Sequence, residues 1–316
     1  MYRKEEAVDK TNRVLELYER LLSGEVIHKK ELAEEYGINQ RSVQRDIDLL
    51  RDFFAERASV GGSLSEVQYD RVAKGYRLVE TNETALNNAE LFSILKILLE
   101  SRSLCKDEMK MIIGKLLHDC LFPKDRKTMQ ALINNELWNY VEPRHGKKLV
   151  EQIWELGNSI NAHRILELDY QKANGDLSHA FIKPVGIMCS EYYFYLIAYP
   201  NDADTKRPGY PTVYRIDRIQ GYKITEETFL IPYKNRFEEG EFRKRIPFMY
   251  TGELQKVSFT YTGIDINAVL DRLPTAVAEK QADGSYQVTA EVYGDYGIKM
   301  WLGSQGAYVS HSQYMR

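Results

Sequence analysis

The sequence predicts a multidomain α+β protein, and three observations lead to this prediction. The first 80 of the 316 residues have the pattern of short helices followed by a hairpin. Apolar residues then recur at helical spacing as far as residue 162. From residue 163 the hydrophobic period changes to two, which is typical of half-buried strands. We therefore expect four domains, over residues 1–80, 81–162, 163–236 and 237–316.

Composition favours a cytoplasmic protein and gives no global sign of a nucleic-acid partner. The net charge is −3, and residues 1–80 hold 14 basic against 16 acidic side chains. A DNA-binding surface there requires Glu31, Glu34 and Glu35 to face away from it. The sequence shows no secretory signal and no run near the roughly 20 apolar residues that span a membrane. Three widely spaced cysteines and six scattered histidines predict neither a disulfide framework nor a metal site.

Residues 29–54 have the pattern of two helices joined by a sharp turn. Gly37 stands where the turn needs a positive φ, and Asn39 is suited to cap the second helix. Apolar residues of the second helix recur at i, i+4 and i+7, which is the spacing of a buried stripe. These residues are Val43, Ile47 and Leu50. The pattern predicts a helix-turn-helix, whose second helix enters the major groove of DNA.

The opposite face of the second helix carries side chains that suit DNA contacts. Arginine pairs with guanine and glutamine with adenine, and both also hold phosphates. The candidate DNA-binding residues here are Asn39, Gln40, Arg41, Ser42, Gln44 and Arg45. The alternative is an ordinary helical hairpin with a solvated polar face.

A hairpin after the helix pair favours the DNA-binding interpretation. Two short strands, 66–70 and 76–79, flank a bend at Lys74-Gly75. With a first helix over 12–22, the whole is the pattern of a winged helix-turn-helix. Arg71 and Lys74 are expected at the tip of the wing, within reach of phosphate. The alternative is a hairpin with a purely structural role.

Residues 11–80 also resemble the winged helix-turn-helix of the DeoR-like class of bacterial transcriptional regulators. The resemblance lies in the segment RSVQRDI at 41–47, which ends in Arg-Asp-Ile like the recognition helix of that class. The stretch NQRS at 39–42 departs slightly, because the class has Thr or Ser two residues after its turn. The resemblance implies binding to a double-stranded DNA operator.

Residues 81–162 predict a helical connector. Apolar stripes recur over 91–99, 109–117, 129–137 and 149–160, with Pro123 at a helix start and Pro143 at a break. Stripes of Leu and Met at this spacing indicate a core rather than a cofactor site. We expect a bundle that contributes to a homodimer interface.

The region after His163 predicts short strands. Residues 163–170 alternate, Asn174-Gly175 is a hairpin signal, and further strands are expected over 179–187, 192–199 and 213–219. Several short strands with turns between them suggest a small barrel.

Residues 163–232 resemble the WYL domain of bacterial regulators. FYL at 194–196 matches the Trp-Tyr-Leu run, and RIDRI at 215–219 matches an Arg-Leu-Asp-Arg-Ile element. Lys183-Pro184 stands in place of the Arg-x-x-Pro element. The resemblance implies an Sm-like or SH3-like barrel that senses a ligand, in some members a nucleic acid or nucleotide.

Cations beside aromatic faces in this region suit a phosphate with a stacked base. The candidate ligand-binding residues are Tyr170, His179, Lys183, Tyr195, Arg215 and Arg218. Arg215 and Arg218 lie three apart on one expected strand, so they should point to opposite faces and cannot both line one pocket unless the strand is bulged or ends between them. We expect Arg215 to face the ligand and Arg218 to serve a fold or partner contact. Tyr195 is expected to stack on the ligand, and His179 or Lys183 to assist in binding its anionic group. Alternatively, the aromatic rings fill the barrel and the arginines pair with Asp169 or Asp217.

The C-terminal part predicts a linker over 237–252 and then a βαββαβ-like order. Expected elements are a strand over 255–261, a helix over 264–273, a strand to 293, a helix from 298 and a last strand at 307–309. This order resembles the WCX-type extension that follows WYL domains, with Trp301-Leu302 and Gly306 at the expected places. The resemblance implies a ferredoxin-like domain.

Together these patterns predict a ligand-sensing, DNA-binding transcriptional regulator that forms a homodimer. An enzyme is a rival class, but the sequence has no GxSxG motif, no GxxxxGK[ST] loop and no HExxH pair. We therefore expect no catalytic residues, no cofactor and no metal. A second rival is a module that binds protein or nucleic acid without regulating a promoter.

Overall fold

The computed structural model describes residues 10–59, 65–80, 86–121, 123–201, 209–231 and 236–315. The chain divides into two compact units. One consists of Met1–Glu100 with Met109–Tyr140, and the other of Ser101–Glu108 with Val141–Arg316. Both contain helices and antiparallel strands, so the predicted mixed α+β class is confirmed. Within the described ranges, every helix is too short or too polar to cross a bilayer.

The first unit begins with three helices and a hairpin. The helices are α1 (Lys10–Leu22), α2 (Lys29–Glu35) and α3 (Gln40–Ser59), and the strands are β1 (Ser65–Asp70) and β2 (Gly75–Glu80). The strands pair antiparallel. Their common core contains the predicted stripe of α3, because Val43, Ile47 and Leu50 are all buried with Leu17 and Val67.

The turn between α2 and α3 has the predicted geometry. Gly37 has a φ of +62°, which a residue without Cβ adopts at no steric cost. Asn39 Oδ1 accepts a hydrogen bond from the Ser42 backbone N–H at 2.9 Å, so Asn39 caps α3. A buried ion pair, Arg13 Nε to Asp46 Oδ2 at 2.7 Å, then ties α1 to α3. Removing one partner of such a pair leaves an uncompensated buried charge, at about 3–5 kcal/mol.

Three helices follow in the predicted connector, α4 (Asn88–Ser101), α5 (Lys106–Asp119) and α6 (Pro123–Trp138). The helical pattern of this region is confirmed, including the start of α6 at Pro123. The next helix, α7 (Val150–Asn161), belongs to the second unit. Its start is capped by a residue that is distant in sequence. The buried Glu108 carboxylate accepts the backbone N–H groups of Leu149 and Val150 at 2.9 Å.

A five-stranded antiparallel sheet forms the centre of the second unit. Its strands are β3 (Arg164–Gln171), β4 (Leu177–Ser190), β5 (Tyr193–Pro200), β6 (Thr212–Arg215) and β7 (Ile219–Thr228), in the order β6-β5-β4-β3-β7. One face packs on α7 through Leu156, Leu166 and Leu168. The other face contributes Met188 and Ile197 to a second core.

The expected continuous strand over 213–219 is wrong. The strand ends at Arg215, a 3-10 turn spans Ile216–Arg218, and β7 starts at Ile219. Ile216 and Asp217 are both buried, whereas neighbours on an extended strand point to opposite faces. The turn also lets the Asp217 carboxylate accept two hydrogen bonds from the Arg215 guanidinium.

The expected linker over 237–252 contains a short helix, α8 (Glu239–Arg245). Phe242 of α8 and the following Ile246 are buried against Met188 and Ile197 of the sheet. A seven-residue helix with few apolar positions has too little periodicity to be predicted from sequence. Tertiary burial of these two side chains places it there instead.

The C-terminal part has the predicted alternation of strands and helices. Its elements are β8 (Leu254–Tyr261), α9 (Ile266–Arg272), β9 (Val277–Lys280), β10 (Tyr286–Tyr293), α10 (Tyr296–Ser304) and β11 (Val309–Met315). The strands form an antiparallel sheet in the order β11-β8-β10-β9. Two boundaries were wrong: α10 begins before residue 298, and residues 307–308 lie in a 3-10 turn rather than in the last strand.

Candidate functional site

The exposed face of α3 carries two arginines one turn apart. Arg41 and Arg45 are both exposed, and residues four apart on a helix share a face. Among the described residues, neither guanidinium has a hydrogen bond or ion pair. Gln40 is exposed beside them. These side chains are therefore available to a partner at the start of α3.

In Gln44, by contrast, both the oxygen and the nitrogen of the side-chain amide already have hydrogen-bond partners. Its Oε1 accepts from Lys29 Nζ at 2.9 Å and from the Tyr76 hydroxyl at 3.0 Å, and its Nε2 donates to Asp48 at 2.8 Å. The Lys29 ammonium also lies 5.4 Å from the centre of the Tyr76 ring. Gln44 can contact a base only by exchanging these partners. Sequence reasoning missed Lys29 and Tyr76, because neither belongs to the polar face of α3.

Asn39 and Ser42 are bonded to each other at the start of α3. Besides capping the Ser42 N–H, Asn39 Oδ1 accepts from the Ser42 hydroxyl at 3.2 Å. Their predicted contact with DNA would be additional to this capping role.

The turn between β1 and β2 presents Arg71 and Lys74, both exposed. Asp70 Oδ1 shapes the turn by accepting the backbone N–H groups of Val72 and Ala73. These backbone hydrogen bonds, assisted by Arg77, lower the pKa of the Asp70 carboxyl. Lys74 has a positive φ of 53°. The two predicted cations thus lie on a turn whose backbone is held by hydrogen bonds to the Asp70 carboxylate.

One of the three acidic side chains expected to face away from a DNA surface has a fold contact. Glu35 pairs with Arg20 at 3.0 Å, and Arg20 also pairs with Glu25. Glu31 and Glu34 are exposed on α2, and their direction relative to a bound duplex stays a prediction.

In the second unit, Arg215 is the centre of a half-buried cluster. Its guanidinium bonds both oxygens of Asp217, at 3.0 and 2.8 Å, and lies 3.3 Å from the centre of the Tyr193 ring. Its backbone N–H donates to the Tyr170 hydroxyl at 3.2 Å. Tyr195 lies directly opposite Arg215 in the β5–β6 pairing. Burial raises the pKa of Tyr195 to about 12, so its hydroxyl stays protonated at neutral pH.

His145, from the loop before α7, also belongs to this cluster. Its Nδ1 accepts the Lys147 backbone N–H at 2.9 Å, so the proton of the neutral ring lies on Nε2. That Nε2 is buried and has no partner among the described residues. The ring centre is 6.4 Å from that of Tyr193. Burial lowers the pKa of His145, which favours the neutral ring as a hydrogen-bond donor.

Two predicted ligand residues lie outside this cluster: His179 is opposite Asp169 in the β3–β4 pairing and so points to the other face of the sheet from Tyr170. Lys183 is opposite Tyr199 in the β4–β5 pairing. Tyr199 is four residues after Tyr195 on β5, which corresponds to roughly 13 Å along the strand. His179 Nδ1 contacts Asp169 Oδ1 at 2.8 Å, and this hydrogen bond raises the pKa of His179. The structure thus brings together Tyr170, Tyr195 and Arg215, and leaves His179 and Lys183 apart from them.

Comparison with protein families identifies this part of the chain. A family model described as the WYL domain matches residues 153–224. The chain contains a WYL domain. The matched range begins ten residues before the sequence pattern suggested, because it includes most of α7.

Comparison with whole proteins adds only distant likenesses. No curated protein matches the chain. Among solved structures, proteasome accessory factor B/C (PafBC) of Arthrobacter aurescens has 16% identity and a TM-score of 0.30, over 95% of this chain and 44% of PafBC. A CRISPR Cas-related protein has 12% identity and a TM-score of 0.35, over 72% of this chain and 69% of that one. The chain spans less than half the length of PafBC, and neither likeness bears on function.

Arg218 is the remaining candidate cation of the WYL domain. It lies half-buried in the 3-10 turn, and its guanidinium has no ion pair within the described part of the chain. Arg215, by contrast, is neutralised by Asp217, which is the alternative that the sequence left open. Tyr193 and His145 were missed from the sequence, since one precedes the FYL run and the other lies outside the strands. The WYL domain thus combines one arginine without an ion pair among the described residues, one arginine paired with Asp217, and tyrosine rings in edge-to-face contact.

Proposed function

We propose that this chain is a sequence-specific, DNA-binding transcription regulator whose affinity for its operator changes when a ligand binds the WYL domain. In this proposal α1–α3 and the β1–β2 hairpin form a winged helix-turn-helix. The observation that carries it is the pair of exposed arginines, Arg41 and Arg45, without partners among the described residues on the helix that follows the turn.

The distribution of ion pairs supports DNA binding by a unit with a net negative charge. Arg13, Arg20 and Arg77 are paired with acids of the fold, so their charges are already used. The cations left at the start of α3 and on the hairpin turn are Arg41, Arg45, Arg71 and Lys74. Phosphate neutralisation depends on such local charge rather than on the net charge of the domain.

The second unit supports the sensing part of the proposal. We take its five-stranded sheet as an Sm-like or SH3-like barrel, and its β8–β11 sheet as a ferredoxin-like, WCX-type domain. Arginines beside tyrosine rings suit a single-stranded nucleic acid or a nucleotide. A ligand that prefers one conformation of the chain shifts operator affinity when the operator also distinguishes the conformations, and the operator then shifts ligand affinity by the same free energy. We assign no catalytic step, cofactor or metal to either unit, and we place the regulator in the cytoplasm as a homodimer.

Selection of DNA fragments by the full-length chain tests this proposal. Bound fragments should converge on one sequence motif, with affinity that falls steeply between about 50 and 200 mM salt. The double variant Arg41→Ala/Arg45→Ala should lose the motif. The matched control is Lys115→Ala, an exposed cation on α5, which should retain it.

Other outcomes of the selection have a definite meaning. Binding without any preferred sequence would favour the rival, a nucleic-acid-binding module that does not regulate a promoter. Equal motif recovery by wild type and the double variant would show that α3 does not contact the operator.

A further inference from the structure

A cavity of about 270 Å³ lies in the second unit beside the WYL sheet. Met188 and Ser190 of β4 line one side. Met188 is opposite Tyr195, which is opposite Arg215. Because residues paired across antiparallel strands share a face, the cavity lies on the same face of the sheet as Tyr195 and Arg215, although neither residue lines it.

The basic side chains of the cavity come from beyond the WYL match. Arg243 and Lys244 of α8 line it, together with Arg272 of α9 and the acidic Asp271. Arg243 Nη1 donates to the Cys189 carbonyl at 3.2 Å, and within the described residues its guanidinium has no ion pair. It therefore retains N–H groups for an anion.

The other two cations are held by exposed acids. Lys244 pairs with Glu241, and Arg272 pairs with Glu191 at 2.9 Å. The side chains in both pairs are between 38% and 48% exposed. Exposed ion pairs of this kind contribute little free energy, so a bound anion can compete for these cations.

The cavity wall also contains a strained backbone segment. Phe248 and Met249 are consecutive non-glycine residues with positive φ, 53° and 59°. Gly297 packs against this segment so closely that a Cβ there would lie 2.1 Å from the Pro247 carbonyl oxygen. The Arg272 guanidinium lies 4.7 Å from the centre of the Phe248 ring. Strain that surrounding structure maintains is concentrated at functional sites.

We propose that this cavity binds the phosphate of a small phosphorylated ligand, with Arg243 as its main anion contact and the Phe248–Arg272 pair beside the rest of the ligand. The inference rests on the sensor role proposed above and extends that site beyond the WYL domain. The volume is near the lower limit for small-molecule sites, so the bound part is no larger than about one nucleotide. A free nucleotide and the phosphorylated end of a single strand share this chemistry.

Thermal melting and calorimetry of the full-length chain test the proposal with defined probes. Adenosine 5′-monophosphate is compared with adenosine, and a 5′-phosphorylated oligothymidylate with its 5′-hydroxyl form. At least one phosphorylated probe should raise the Tm, because a ligand of the native state stabilises it. Its unphosphorylated partner should not. The probe that acts distinguishes a free nucleotide from a strand end.

Two variants locate the effect. Arg243→Gln should weaken binding of the active probe about tenfold or more, since it removes a charge-assisted hydrogen bond. Lys280→Gln, at an exposed lysine of β9 outside the cavity, should bind as wild type does. A wild-type Tm of Arg243→Gln in the absence of any probe shows that the variant is folded, and Lys244→Ala provides a second, exposed position in the cavity wall.

Contrary results separate this inference from the proposed function. If Arg243→Gln and Lys244→Ala both bind the active probe normally, the phosphate site lies elsewhere and the sensor role stands. If no phosphorylated probe shifts the Tm of wild type, the inference fails for this ligand class. Operator selection is measured without any probe, so it decides the DNA-binding proposal independently.

Discussion

At the scale of single residues, the arginines of the first unit differ by what already contacts them. Arg13 is buried with Asp46, whereas Arg41 and Arg45 are exposed and have no ion pair among the described residues. Sequence reasoning selected Arg41 and Arg45 from their helical face, but it could not show that Gln44 on the same helix is engaged. Two of the three partners of Gln44 lie 15 and 32 positions away in sequence, which no local pattern contains.

Replacing each arginine separately should give different losses of DNA binding. Arg41→Ala should cost about 1–3 kcal/mol of specific binding and relax the preference at one base pair, as expected of a base contact. Arg45→Ala should weaken binding to all DNA sequences alike. It should also reduce the number of counterions released on binding by about one, which lowers the salt dependence of the affinity. Fluorescence anisotropy with operator and scrambled duplexes over a salt series measures both. Wild-type binding by both variants would contradict the placement of α3 in the groove.

His145 should make the stability of the second unit depend on pH. Its pKa is lowered in the folded protein by burial, so the unfolded chain binds a proton more readily. The free energy of unfolding should therefore fall as the pH drops below the ordinary histidine value of 6.5. In His145→Gln this part of the pH dependence should be lost.

Urea unfolding of wild type and variant over a pH series measures the contribution of His145. Asp217 opposes the effect and Arg215 adds to it, so the comparison uses the difference between the two proteins. An identical pH profile for both would show that His145 is not kept neutral by the fold.

At the scale of elements, local patterns predicted α1–α3 and the hairpin because their signals are local. Gly37 and Asn39 lie next to the elements that they begin or end, and the α3 stripe repeats over two turns. The break between β6 and β7 was missed for the opposite reason. Ile216 of the 3-10 turn packs in one core with Leu149 and Leu168, which are distant in sequence, and a local pattern does not contain such contacts. The helix α8 was missed on the same grounds.

The cap at Asn39 should contribute measurably to the stability of α3. Asn39→Ala removes the acceptor for the Ser42 N–H and should lower the free energy of unfolding by about 1 kcal/mol. Asn39→Asp keeps an acceptor and should remain close to wild type in stability. Denaturant unfolding followed by circular dichroism compares the three proteins. A loss of operator affinity larger than the loss of stability would add the predicted DNA contact to the capping role.

At the scale of the whole molecule, the proposed regulator needs two copies of α3 to specify an operator. One helix contacts few base pairs, so a two-fold dimer should protect an inverted repeat with half-sites one helical turn, or a multiple of it, apart. Footprinting of the selected operator, with sedimentation at micromolar concentration, measures symmetry and mass. A monomer with a single undivided footprint would contradict this prediction.

The contact between Glu108 and the start of α7 determines which fragments of the second unit can fold on their own. The second unit is discontinuous in sequence, because it combines Ser101–Glu108 with Val141–Arg316. A fragment that begins at residue 141 would leave the Leu149 and Val150 N–H groups without the carboxylate that accepts them. We therefore expect an autonomous fragment of the second unit to require the peptide 101–108, which ends more than thirty residues before residue 141. Adding that peptide in trans should restore protease resistance to the shorter fragment, as complementation does for other split proteins.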